Sequence, residues 1–179
     1  MKILYKWRGF ILGALTLGLL FTPGSTLSLM PGIIAATLLL VGIFLRVFAR
    51  RSIGEHTRGS VHEAPELMTT GAYSLMRHPL YLSNTMIACA AIVFHLGFSW
   101  EAIPFAITLL LFECSLALGE DRFLKKLFGE RWTLWASKTW AFLPNPAHFR
   151  ATEKNRSLFQ TLRADTSTWI WIILLALIL

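Results

Sequence analysis

Two clusters of chemically capable residues bracket one hydrophobic hairpin. The first reads Gly71-Ala72-Tyr73-Ser74-Leu75-Met76-Arg77-His78-Pro79-Leu80-Tyr81; the second runs from Gly119-Glu120-Asp121 to Phe128-Gly129. If both intervening apolar runs cross a bilayer, the clusters meet on one membrane face. A cationic pair, a carboxylate pair and several aromatic rings gathered there would hold a zwitterionic, nucleotide-like cofactor against a lipid.

Each cluster also has a plainer reading. Arg77 and His78 serve equally as interfacial cations, Pro79 as a first-turn proline, and Tyr73 and Tyr81 as members of an aromatic belt. The chemical reading uses the same geometry, because a helix start presents backbone donors and a positive dipole end suited to a carboxylate or phosphate. Glu120 and Asp121 weigh more toward function, since the helix dipole disfavours carboxylates at a C-terminal end. If that helix continues, Phe123 with Leu127 and Leu124 with Phe128 form an apolar face opposite Arg122, Lys125 and Lys126. Gly129 then breaks it, and Trp132, Trp135 and Trp140 follow as interfacial anchors or as walls of a site.

Glu113 is a further anomaly. It lies seven residues before Glu120, so the two carboxylates share one helix face about 10 Å apart. A carboxylate at that depth faces a polar cavity or a partner, or is protonated and bonded to backbone. His95, near the far end of its span, reads as interfacial.

The elements that position these residues follow from composition. Hydrophobic residues make up 55% of the 179 and charged residues 15%, well below the roughly one quarter of soluble domains, so the chain is a membrane protein. About 20 apolar residues cross roughly 30 Å of hydrocarbon. The run from Gly9 to Thr22 is short and stopped by Pro23-Gly24; it reads as a retained first helix, because no small-x-small cleavage site follows. Gly32 to Ala49 reads as a clean span opened by Pro31 and closed by Arg50-Arg51. Ser52 to Thr70, with Glu55, His56, Arg58, His62, Glu63 and Glu66, lies outside the membrane core. Further spans run from about Leu80 to Phe98 and from Ala102 to Leu118, joined by the tight Ser99-Trp100-Glu101 connection. Thr168 to Leu179 is too short to span; it lies in the interface or enters one leaflet.

The predicted fold is therefore all-α, a polytopic bundle of about four spans with C-terminal interfacial helices. It forms one membrane domain over 1–179: a two-helix hairpin (1–51), a loop with the first motif (52–79), a second hairpin (80–118) and a C-terminal site segment (119–179). Lys2, Lys6, Arg8, Arg50, Arg51, Arg58, Arg77, Arg122, Lys125, Lys126 and Arg131 fall on one side, which the positive-inside rule places in the cytoplasm. The net charge of +7 is thereby explained by topology and anionic lipid, with no nucleic-acid partner. Cys89 and Cys114 fall inside spans as small hydrophobes, and neither a disulfide nor a metal motif is indicated.

At these clusters the chain resembles a known family. Thr70-Gly71-Ala72-Tyr73-x-x-x-Arg77-His78-Pro79-x-Tyr81, then a span, then Glu120-Asp121-x-x-Leu124-x-x-x-Phe128-Gly129 resembles the isoprenylcysteine carboxyl methyltransferase and phospholipid methyltransferase group of membrane enzymes. The likeness covers roughly residues 65 to 146, including Leu143-Pro144. It implies a methyltransferase using S-adenosylmethionine near the cytosolic face, with Arg77 and Glu120 as catalytic residues. Tyr73, Arg77, His78, Pro79, Tyr81, Glu120, Asp121, Phe128, Gly129 and Trp132 are the implied cofactor-binding set. The acceptor would be a membrane lipid or lipidated substrate bearing a carboxylate, phosphate or amine, and the compact chain suits a bacterial inner membrane. Three departures stand out: the usual Glu-Glu pair is Glu120-Asp121, tyrosines after Phe-Gly are replaced by Trp132 and Trp135, and Ser83 stands where glycine is common. A non-catalytic scaffold or anionic-lipid binder is the alternative; a small transporter is disfavoured because Glu113 is the one ionisable group noted within a span.

Overall fold

The computed structural model describes residues 2–26, 28–53, 66–152 and 157–178, with side chains of the first segment from Trp7 onward. The polar stretch with Glu55, His56, Arg58, His62 and Glu63 lies outside the described residues. The chain is all-helical in that range: α1 (Lys2–Phe21), α2 (Leu29–Ser52), α3 (Ala72–Leu75), α4 (Pro79–Leu96), α5 (Ala102–Phe128), α6 (Glu130–Ala136), α7 (Leu158–Arg163) and α8 (Thr166–Ile178), with a 3-10 turn at Pro146–His148.

Three of these, α2, α4 and α5, are long and apolar enough to cross a membrane, while the apolar stretches of α1 and α8 are shorter. Proline opens two of the spans: Pro31 lies in the first turn of α2, and Pro79 begins α4. Glycine closes the other ends. Gly97 stops α4 at φ 62° and Gly129 stops α5 at φ 54°, conformations that L side chains resist. At 27 residues α5 is about 40 Å long, so it outruns the hydrocarbon and carries Glu120 and Asp121 in its overhang.

The tightest packing joins α2 to α4. A side chain on Gly42 would place Cβ 2.9 Å from Ile87 Cγ1, and the Ser83 hydroxyl donates to the Gly42 carbonyl at 2.9 Å. Small residues allow such approach between membrane helices. Ser83 therefore does a glycine's steric work while its hydroxyl is satisfied by the neighbouring backbone. At the far end, Leu19, Ile92, Leu96 and Leu109 form the apolar core shared by α1, α4 and α5. His95 is more than interfacial: its Nε2 sits 2.8 Å from the Thr22 carbonyl, and its own carbonyl accepts from Ser25 N–H at 2.9 Å. It thus fastens the α1–α2 turn to the end of α4. The outward faces, including Phe10, Leu40, Phe44 and Leu111, are exposed apolar surface suited to lipid.

Candidate functional site

The first motif is shaped by the main chain before any side chain acts. Gly71 adopts φ 60°, and a Cβ there would overlap the hydroxyl of Ser52, which itself accepts from Ala72 N–H at 3.2 Å. That contact seats α3 on the end of α2. The chain then runs extended at Met76 toward His78, beside the segment from Trp140 to Arg150. Gly71 N–H donates to Arg150 O at 2.7 Å, Asn145 N–H to Leu75 O at 2.9 Å, Arg77 N–H to Trp140 O at 2.8 Å and His78 N–H to Ala141 O at 2.9 Å. Four main-chain bonds thus hold the two cationic residues in place.

Their side chains meet α5. Arg77 Nη2 donates to Asp121 Oδ2 at 3.0 Å, while Nη1 donates to the carbonyls of Thr139 at 2.7 Å and Ala136 at 3.3 Å. Its guanidinium also lies 5.9 Å from the Trp132 ring, which Lys125 approaches at the same distance. His78 is 3% exposed, its ring 5.6 Å from both Tyr81 and Phe142. Nε2 lies 3.1 Å from Asp121 Oδ1, but off the hydrogen-bonding direction, and Nδ1 lies 3.8 Å from Glu120 Oε2. Trp135 Nε1 donates to the Tyr73 carbonyl at 3.2 Å, joining α6 to the same corner. Burial above all, with the Glu120 carboxylate adding, pushes ionisation of the Tyr73 hydroxyl well above the ordinary tyrosine range, against the opposing pull of Arg50 and Arg46. Tyr73 accordingly remains a hydroxyl donor at any working pH.

This corner opens into a cavity of about 650 Å³, within the usual range for small-molecule sites. Tyr73, Arg77, His78, Pro79, Tyr81 and Glu120 border it. Asp121 and Trp132 stand behind, holding Arg77 and His78 rather than lining the space. Phe128 and Gly129 end α5 and do not border the cavity. Further in, the walls become apolar, with Leu12, Leu19, Ile92, Phe105, Leu109 and Leu116. Glu113 also borders it, 1% exposed, on the same cavity wall as Asn84.

A buried ion cluster forms a further part of the cavity wall. Arg46, 6% exposed inside α2, donates to both oxygens of Asp165, to Asn84 Oδ1 and to Thr168 Oγ1, and Arg50 donates to Asp165 Oδ1 at 3.1 Å. Burial opposes ionisation of Asp165, yet the Arg46 bond and charge, with Arg50 adding, hold its carboxyl below the usual range. This cluster ties the α7–α8 corner to α2 and α4. The run from Gly32 to Ala49 is therefore not clean, and Glu113 is not alone as an ionisable group within a span. The signal was Arg46 itself, to which the depth argument applied to Glu113 applies equally. Its partner, 119 residues away, carried no local signal. The α8 face with Ser167, Thr168, Trp171, Ile172 and Leu175 then lines the cavity, although none of the residues described for α8 is buried.

Comparison with known families matches residues 31–131 to the model described as phospholipid methyltransferase. Comparison with curated proteins and with solved structures gave no significant match.

Proposed function

The chain belongs to the phospholipid methyltransferase family, and from that premise we propose that it transfers a methyl group from S-adenosylmethionine to a membrane lipid. The observation carrying this reading is the continuity of one cavity. A polar corner built by both motifs passes without interruption into an apolar interior, so a polar donor and a lipid acceptor share one space.

The residues present fit that cofactor. Arg77 and His78 border the cavity, and Arg77 Nε is a buried nitrogen without a hydrogen-bond partner among the described residues, a donor suited to an anionic or carbonyl group. Glu120, partly exposed beside them, supplies an acceptor for hydroxyls or an amino group, and Tyr81 offers an aromatic wall. When bound, the cofactor supplies an electrophilic methyl on a cationic sulfur.

Arg77 acts here as a positioning residue. Its guanidinium joins Asp121 on α5 to the carbonyls of Ala136 and Thr139, which fixes the wall of the corner. Alignment carries most of the rate in an in-line displacement, so a rigid corner is the chief requirement. A carboxylate or phosphate acceptor needs no base. For an amine acceptor, Glu120 takes the proton released as the nitrogen–carbon bond forms and the sulfur–carbon bond breaks. The basic residues Arg50, Arg51, Arg77, Arg122, Lys125, Lys126 and Arg131 sit at the corner's end of the bundle, while the turns at 22–28 and 97–101 hold no Lys or Arg. That asymmetry supports a cytoplasm-facing corner, and the compact chain suits a bacterial inner membrane.

Calorimetric titration of the purified protein with S-adenosylhomocysteine tests the reading. Saturable binding, weakened about tenfold by Glu120→Gln without loss of thermal stability, is expected. No binding by folded wild type in lipid nanodiscs would overturn it in favour of a scaffold.

A further inference from the structure

Five cations stand on the outer side of the polar corner. From residue 122 to residue 138 the chain carries Arg122, Lys125, Lys126, Arg131 and Lys138 against a single carboxylate, Glu130. All five are exposed, and none forms an ion pair among the described residues. Helical spacing sorts them from the residues that build the corner. On α6, Trp132, Trp135 and Ala136 turn toward Arg77 and Tyr73, while Arg131, Leu134 and Lys138, at i, i+3 and i+7, share a different face that runs just past the helix end. On the α5 overhang, Phe123 and Leu124 border the cavity, which leaves Arg122, Lys125 and Lys126 outside it. Leu127 and Leu134, 50% and 59% exposed, are interleaved with these cations. Basic residues directly after a span, mixed with exposed leucine, compose a surface that lies on anionic head groups. The overhang stands at that level, because α5 exceeds the hydrocarbon by about 10 Å.

We propose that this face of α5 and α6 docks on anionic lipid head groups of its own leaflet and that the contact tightens the cofactor corner. The tightening rests on the reading of the corner as the S-adenosylmethionine site. α6 has no buried residue, so its hold on the bundle is the Trp135 indole on the Tyr73 carbonyl, the Arg77 guanidinium on the Ala136 and Thr139 carbonyls, and the Trp132 ring beside Arg77. One short segment thus offers acceptors to Arg77 on one side and cations to the membrane on the other. Fixing its outer side reduces the ordering that cofactor binding must otherwise impose, so lipid and cofactor each strengthen the other by the same factor. These lipids are distinct from the methyl acceptor, since none of the five cations borders the cavity. Exposed lysines and arginines on flexible stems read charge, so the surface selects anionic lipid as a class.

The test uses the full chain in nanodiscs of phosphatidylcholine alone or with about one third phosphatidylglycerol, titrated with S-adenosylhomocysteine and followed by amide hydrogen exchange. A basic residue near an anionic surface contributes about fivefold in association, so at least about fivefold tighter S-adenosylhomocysteine binding is expected in the anionic discs, with slower exchange over residues 130–139. High salt should erase both effects. Arg122→Gln, Lys126→Gln, Arg131→Gln and Lys138→Gln combined should match wild type in neutral discs and lose the anionic gain; Lys125 is kept because it lies against the Trp132 ring. Arg131→Glu with Lys138→Glu should invert the effect, with weaker binding in anionic than in neutral discs. A gain that persists in the folded fourfold variant would assign it to lipid inside the cavity and overturn the proposal. Equal binding by wild type in both discs overturns the tightening, and equal exchange overturns the docking. If wild type binds no S-adenosylhomocysteine in either disc, the methyltransferase reading fails, and exchange over 130–139 alone decides the surface: slowing in anionic discs upholds it and no slowing overturns it.

Discussion

Asp165→Asn is the most informative perturbation of the fold. The carboxylate is 2% exposed and takes both oxygens' worth of hydrogen bonds from Arg46, with Arg50 adding a third. Removing one partner of a buried pair leaves uncompensated charge, at a cost of about 3–5 kcal/mol. Because α8 has no buried residue among those described, that cost should fall on the docking of the C-terminal helices and not on the whole bundle. In opening equilibria, 1.4 kcal/mol is tenfold, so amide hydrogen exchange over residues 158–178 should quicken by about two to three and a half decades, with α2, α4 and α5 unaffected. The sign of the pH effect follows from Asp165's lowered folded value. Its contribution is fully present above the unfolded carboxylate value of about 3.9 and is lost as pH falls through the lower folded value. The difference between wild type and variant should therefore be constant from pH 7 down to about 5 and shrink only below about 4. Replacing both partners with apolar residues, as in Arg46→Met with Asp165→Leu, should recover most of the protection. A change of less than tenfold in Asp165→Asn would refute the assignment of this cluster as the attachment of the last two helices.

Three further outcomes follow from the geometry. Gly71→Ala should cost about 3 kcal/mol or prevent folding, read as lost monodisperse yield, because it combines a backbone region reserved for glycine with overlap of Ser52. Gly42→Val should lower thermal stability by about 1–3 kcal/mol through separation of α2 from α4, and Gly9→Val, where a Cβ meets nothing within 4 Å, is the matched control. Arg77→Ala should weaken S-adenosylhomocysteine binding and also release the 136–140 segment, seen as faster exchange there, whereas Glu120→Gln should spare that exchange.

Much of the architecture was written in local signals. Proline before an apolar run and glycine after it set the limits of α4, and α5 runs on past Leu118 to Phe128, which makes the conditional pairing of Phe123 with Leu127 a helical one. The convergence of Arg77, His78, Glu120 and Asp121 followed from hairpin topology, since two helices joined by a tight turn must bring their other ends together. What was not legible were pairings without periodicity. Nothing near Asp165 announces Arg46, because an ion pair between distant segments leaves no spacing to read. Likewise Phe128 and Gly129 belong to the motif as text, but their place in the structure is the stop of α5, a backbone requirement that a string of letters does not distinguish from a wall of the cavity.

The main-chain bonds between residues 71–78 and 140–150 bear on how this region would look in a mutational survey. Every amino acid except proline carries the same N–H and C=O, so the frame around Arg77 and His78 is indifferent to side-chain identity along its outer rail. Alanine scanning of Trp140, Asn145 and Arg150 would report a largely silent segment while it continues to set the register of the site. Only a change that removes a backbone donor, such as proline or an ester linkage at Arg77 or His78, would expose its role. Sequences that share this frame are consequently free to drift along the rail, and similarity between them would decay fastest in a stretch that is structurally fixed.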